Sequence, residues 1–163
     1  MKLGGTDDGI PTLREVLDVI DGKVPILMEV KPNGWRDTCR EAIEMLKDYE
    51  GAVCMESFHP LAVRYFAKNA PHILRGFLWG RHFHYKQFRR PEHFLLWTMC
   101  FNFLAKPDFI AANWEFANDA PLVLLRTLYK SRHLLWTVRN EEVEAAVKPL
   151  THGIIFEGYL PNK

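Results

Sequence analysis

Glu29 and Lys31 stand two residues apart at the end of the apolar run Val24-Pro25-Ile26-Leu27-Met28-Glu29-Val30-Lys31. On an extended strand, positions i and i+2 share a face, so this carboxylate and ammonium can pair. An ionised carboxylate at the end of a buried strand is costly unless it meets that ammonium or a metal ion. The next run ends Glu56-Ser57-Phe58, where a second carboxylate could bind a water or reach a cation. Ser57 also reads as a turn residue before His59-Pro60, and Phe58 as a core aromatic. Asn113, Thr137 and Glu157 close three later runs in the same way. Trp136 reads either as core or as a flat apolar wall with one N–H donor. His82-x-His84 has strand spacing for a metal pair, but Arg81, Lys86, Arg89 and Arg90 surround it and would repel a cation. No metal is expected there. The segment from Trp79 to Trp97 interleaves basic and aromatic residues. It reads as a solvated loop over a core helix or as a weak contact with anionic headgroups at a membrane surface.

The elements that must position these residues follow a loose alternation of short apolar runs and amphipathic helices. Thr12-Leu13-Arg14-Glu15 is a capping box, and Leu13, Val16, Leu17 and Ile20 form one helical stripe stopped by Asp21-Gly22. The patterning predicts further helices over 36–49, 61–69 and 121–131, and another with Asn140 as N-cap. Strands are expected at 24–31, 52–58, 73–78, 108–113, 134–138 and 153–157, with a long connection over 79–106 that contains one helix. Solidly apolar runs imply strands buried on both faces, hence a parallel sheet covered by helices. The βα order makes the chain α/β, and the polar run ends lie where such folds place their sites. Six βα units fall short of the eight of a TIM-type (β/α)8 barrel, and the chain is expected to open on a helix with no strand ahead of it. A partial barrel is expected.

The length of 163 residues suits one domain over 1–163. With 21 Lys+Arg against 20 Asp+Glu the net charge is +1, which gives no global field for a polyanion and argues against nucleic acid. The 48% hydrophobic and 25% charged fractions exclude disorder for most of the chain. The most apolar window, 94–109, is broken by Asn102, Lys106 and Pro107 and is short of the ~20 residues that span a bilayer. Residues 1–10 have no apolar export signal, and Cys39, Cys54 and Cys100 form no CxxC pair. A cytoplasmic, reducing location is expected, with the thiols as small core hydrophobes.

Several segments carry a resemblance, in order. Ile10-Pro11-Thr12-Leu13-Arg14-Glu15-Val16-Leu17, then Glu29-Val30-Lys31 and Met55-Glu56-Ser57-Phe58-His59-Pro60, resemble the middle of the glycerophosphodiester phosphodiesterase family. Pro71, Arg75-Gly76, Pro107-Asp108-Phe109-Ile110-Ala111, Trp136-Thr137-Val138 and Ile155-Phe156-Glu157-Gly158-Tyr159 continue it. The resemblance implies hydrolysis of glycerophosphodiesters to an alcohol and glycerol 3-phosphate with a divalent cation, Ca²⁺ or Mg²⁺. It implies Glu29 as a metal ligand, Lys31 as the catalytic charge beside the phosphate, and Glu56, Phe58 and Trp136 as substrate-binding residues. Glu157 stands where most members carry Asp and reads as a structural group at the barrel mouth. The family's His-Arg-Gly, Glu-x-Asp and His-Asp segments are absent from this sequence. By resemblance they supply the acid–base histidines and two metal carboxylates. The chain is therefore expected to be a truncated barrel, inactive alone and unable to hold the cation alone. A non-catalytic barrel that binds a phosphodiester, a lipid surface or a partner is the alternative. The open strands of such a barrel are expected to draw in a missing N-terminal segment or a second copy, or to close the gap by collapse.

Overall fold

The computed structural model describes residues 9–80 and 102–161. The elements run α1 (Leu13–Ile20), β1 (Ile26–Glu29), α2 (Trp35–Leu46), β2 (Val53–Ser57), α3 (Pro60–Asn69) and β3 (Leu74–Trp79). A short helical turn α4 (Asn102–Ala105) follows, then β4 (Phe109–Asn113), α5 (Ala120–Thr127), β5 (Arg132–Val138), α6 (Glu141–Val147) and β6 (Gly153–Phe156). The strands form one sheet in the order β1-β2-β3-β4-β5-β6, and every pair is parallel. The sheet curls into a partial TIM-type barrel with helices on its outer side.

Local chemistry sets the helix starts. Thr12 Oγ1 accepts from Glu15 N at 3.3 Å while Glu15 Oε2 accepts from Thr12 N at 2.7 Å, which closes the capping box. Asn140 Oδ1 accepts from Val143 N at 2.9 Å and caps α6. Asp21, left-handed at φ 49°, ends α1. Two helices end earlier than their patterns predict, α2 at Leu46 and α5 at Thr127. Beyond α2, the Tyr49 hydroxyl turns to accept from Gly22 N at 3.0 Å and ties the two helix ends together.

The core lies mainly between sheet and helices. Val30 and Met55 pack with Leu17, Cys39, Ala42, Leu46, Ala62 and Phe66, and half-buried Ile26 and Met28 join them. A second cluster gathers Phe77, Trp79, Ile110, Ala112, Leu122, Leu135 and Val138 under the later helices. On the inner face a smaller cluster joins Leu78, Phe109 and Ala111 to Cys54, Phe58, Leu134 and Trp136. The expectation that every strand is buried on both faces fails at the sheet edges. The solid apolar runs are buried on both faces only in the middle of the sheet. In β1, Leu27 is 38% exposed, and β6 is nowhere fully buried. Among the described residues these two strands are the sheet edges, so their inner faces lack a covering neighbour.

Candidate binding site at the C-terminal mouth

Alternation along the strands decides which side chains share the inner face. Met28 and Val30 point to the helices, so Glu29 between them points inward; likewise Glu56 lies between Met55 and Ser57. Glu29 and Glu56 are register partners on adjacent parallel strands. The structure therefore brings together Glu29, Lys31 and Glu56. Lys31 Nζ donates to Glu29 Oε2 at 2.7 Å, with the two side chains 73% and 30% exposed. Glu56 is only 6% exposed, and its Oε2 has no hydrogen-bond partner among the described residues. Burial first, and the nearby Glu29 charge second, push the Glu56 carboxyl up to about 7, with Lys31 pulling the other way.

Phe58 and Trp136 meet edge to face, with ring centroids 6.1 Å apart and planes at 89°. Phe58 directly follows β2 and Trp136 lies in β5, three strands along the curl. Gly80 permits this, because a Cβ there would stand 3.0 Å from the indole. The indole Nε1 is buried without a partner among the described residues. Below, Gly76 is register partner to both Glu56 and Phe109. The Phe109 ring lies over it, 2.2 Å from where a Cβ would be. The inner face thus has an apolar floor, an aromatic corner, one buried carboxylate and one ion pair open to water.

Other polar run ends serve the scaffold. Ser57 Oγ donates to Val30 O at 2.6 Å and accepts from His59 N at 3.1 Å, the turn role. Asn113 Oδ1 accepts from Glu115 N at 2.9 Å and caps a 3-10 turn. Glu157 pairs with Arg139 at 3.0 Å, both well exposed. His82, His84, Cys100 and residues 81–97 of the basic–aromatic segment lie outside the described residues.

Two histidines carry features that sequence reasoning did not anticipate. His59 stacks on Trp35 on the helix side, ring centroids 5.0 Å apart, and burial lowers its pKa. His133 is fully buried near the start of β5, its Nε2 2.8 Å from Ser131 Oγ. Burial, then Arg126 and His152, bring it down to about 4. The one sequence signal was a histidine set directly against the apolar run Leu134-Leu135. His72 and His152 also stand at strand beginnings, beside β3 and β6, so no described histidine faces the carboxylates.

The cation expectation meets the donor set directly. Among the described residues no group of three or more His, Cys, Asp or Glu side chains could hold a metal ion. Two carboxylates, one already bonded to Lys31, fall short of the six or more oxygens of Ca²⁺ or the octahedron of Mg²⁺. The described residues do not fit the ion.

No family model and no curated protein matches the chain. Solved structures match its fold. A glycerophosphodiester phosphodiesterase from Parabacteroides distasonis is 17% identical with a TM-score of 0.65, over 90% of this chain and 59% of that one. An Oleispira antarctica phosphodiesterase, in complex with the product sn-glycerol-3-phosphate, is 18% identical with a TM-score of 0.68, over 90% and 57%. A putative glycerophosphodiester phosphodiesterase from Galdieria sulphuraria is 15% identical with a TM-score of 0.68, over 96% and 63%. This chain spans 57–63% of the length of these three structures. Its fold is a large part of theirs.

Proposed function

We propose that the chain is a glycerophosphodiester phosphodiesterase-type part-barrel that binds a glycerophosphodiester at its C-terminal mouth and does not hydrolyse it alone. One observation carries this reading: buried Glu56, with an unpartnered oxygen, stands in register beside the Glu29–Lys31 pair. Its position at the carboxyl ends of parallel strands is where such folds bind ligands. Lys31, largely exposed, supplies the positive charge for a phosphate. The orphan acceptor of Glu56 and the orphan donor of Trp136 flank Phe58, a set that suits the hydroxyls and carbon backbone of glycerol.

Hydrolysis needs a proton carrier at the leaving oxygen. The described histidines stand on the helix side or at the opposite end of the strands, so the histidine pair that the resemblance implies has no counterpart at the mouth among the described residues, which supports binding without turnover. No step of this reading runs through a metal ion. Glu29 would become a ligand only with carboxylates from outside the described residues. Such groups would come with an N-terminal segment, or a second copy, seated on the β1 and β6 edges.

Titration with sn-glycerol 3-phosphate, followed by NMR of the folded chain, tests the reading. Shifts at Lys31, Glu56 and the Trp136 indole are expected, with background turnover of glycerophosphocholine. A folded chain whose mouth ignores the ligand would overturn it.

A further inference from the structure

The helix layer outside the sheet carries a cleft unlike the mouth. Trp35 and Arg36 of α2, and Leu61, Arg64, Tyr65 and Lys68 of α3, line a shallow depression of about 170 Å³. The four α3 residues stand at i, i+3, i+4 and i+7, one stripe of the helix. Three cations and two aromatic rings converge there with no carboxylate in the lining. The nearest acids on α2 are already engaged, since Arg40 lies 3.0 Å from Asp37 and 3.9 Å from Glu41. Arg64 Nη1 donates to Leu104 O at 2.8 Å, which fixes that guanidinium in place. Arg36 and Lys68 are exposed and have no carboxylate partner among the described residues. Leu61 stands 43% exposed at the upper end, and the Trp35 ring is held edge-on to Tyr65, centroids 6.1 Å apart.

We propose that this cleft docks the protein on an anionic phospholipid bilayer, with Arg36, Arg64 and Lys68 on headgroup phosphates and Leu61, Trp35 and Tyr65 at the interface. Charge complementarity argues for an anionic partner, because the whole chain is near neutral while this face is locally positive. The bilayer is favoured over a free phosphate by shape. The depression is smaller than the roughly 300–1,000 Å³ of small-molecule sites, and its exposed leucine and half-buried rings have no task against an inorganic ion. The first turns of α2 and α3 follow the carboxyl ends of β1 and β2, so the cleft's upper end lies at the rim of the mouth. Docking would bring that rim to the lipid. It does not depend on glycerol phosphate binding at Lys31.

Co-sedimentation of the full chain with phosphatidylcholine vesicles, with and without phosphatidylserine, tests this. Binding is expected only with phosphatidylserine and should weaken with salt. Each basic residue near such a surface is worth about five-fold, so Arg36→Gln with Lys68→Gln should lower partitioning roughly twenty-five-fold. Both side chains are exposed, and an unchanged melting curve checks the fold. Lys130→Gln with Arg132→Gln, around the start of β5, should leave partitioning unchanged. Equal binding by the first pair, equal binding to pure phosphatidylcholine, or no binding to anionic vesicles would overturn the proposal. So would inorganic phosphate shifting the Trp35 and Lys68 resonances while anionic vesicles leave them unmoved.

Discussion

The β1–β2 end of the sheet and its β3–β4 middle are built from similar apolar runs but behave differently. From Gly76 to Trp79, and from Phe109 to Ala112, every residue is buried. Along Ile26–Glu29 burial alternates, because helices cover one face and nothing described covers the other. The inner face grades accordingly across three neighbouring strands. Glu29 is partly exposed and paired, Glu56 is buried with one oxygen unpartnered, and Gly76 offers no side chain at all. Charge is placed where water still reaches, and its cost climbs by one strand's width. The open end leaves charge in reach of water, and the covered middle is apolar and closed.

The largest test of that contrast is packing. Trp79→Ala should cost about 3–5 kcal/mol in chemical denaturation, as buried aromatics do. Leu27→Ala on the open face should cost only about 1 kcal/mol. Equal losses would break the comparison.

Acidity offers a second test with opposite signs. Glu56 titrates near 4.5 unfolded and about 7 folded, so the native state holds the extra proton, and stability falls as pH rises through that window. His133 titrates near 6.5 unfolded and about 4 folded, so its contribution is complete above 6.5 and is lost as pH falls towards 4. Each amounts to about 3 kcal/mol at full extent. The two nearly cancel between pH 4.5 and 6.5, so the unmodified chain should show a flat profile there. Glu56→Gln should unmask stability that rises with pH, and His133→Gln stability that falls. Melting curves across the window check both slopes.

Ligand affinity gives a third test. Lys31→Met should weaken sn-glycerol 3-phosphate by roughly 10–100-fold, the worth of a hydrogen bond to a charged group, read by calorimetry. Arg139→Met, an exposed residue just beyond β5 whose partner Glu157 lies just beyond β6, should leave affinity unchanged. The smallest effect should ignore the contrast altogether. Thr12→Ala and Asn140→Ala should each cost about 1 kcal/mol, since a cap serves only its own helix.

What was legible in the sequence was what is decided locally or by repetition. The capping box at Thr12, the cap at Asn140 and the six runs all rest on neighbouring residues or period. The parallel sheet followed from solid runs such as Phe109–Ala112. The exposure of Leu27 was hidden because strand composition does not say which strands end the sheet. Glu56 was visible as a carboxylate, but its burial depends on strands far along the chain, including the side-chain-free position Gly76. The partnership of Phe58 with Trp136 likewise needs the curl that carries β5 over to β2. His59 carried no sign that its ring would turn to Trp35.

Strand order that follows chain order also has a consequence for how the sheet is made. Each βα unit finds its pairing edge already present when it leaves the ribosome, so the sheet can grow unit by unit in one direction. The exception lies between β3 and β4, where residues 80–108 intervene before the next edge is met. The starts of the two strands are clasped: Arg75 near the head of β3 pairs with Asp108 just before β4 at 2.9 Å, and its backbone N–H donates to the same carboxylate at 3.0 Å. The β3–β4 pairing spans the greatest sequence separation of any strand pair in the sheet, so it carries the largest loop-closure entropy. In the folded chain the clasp fixes the register at which β4 lies against β3.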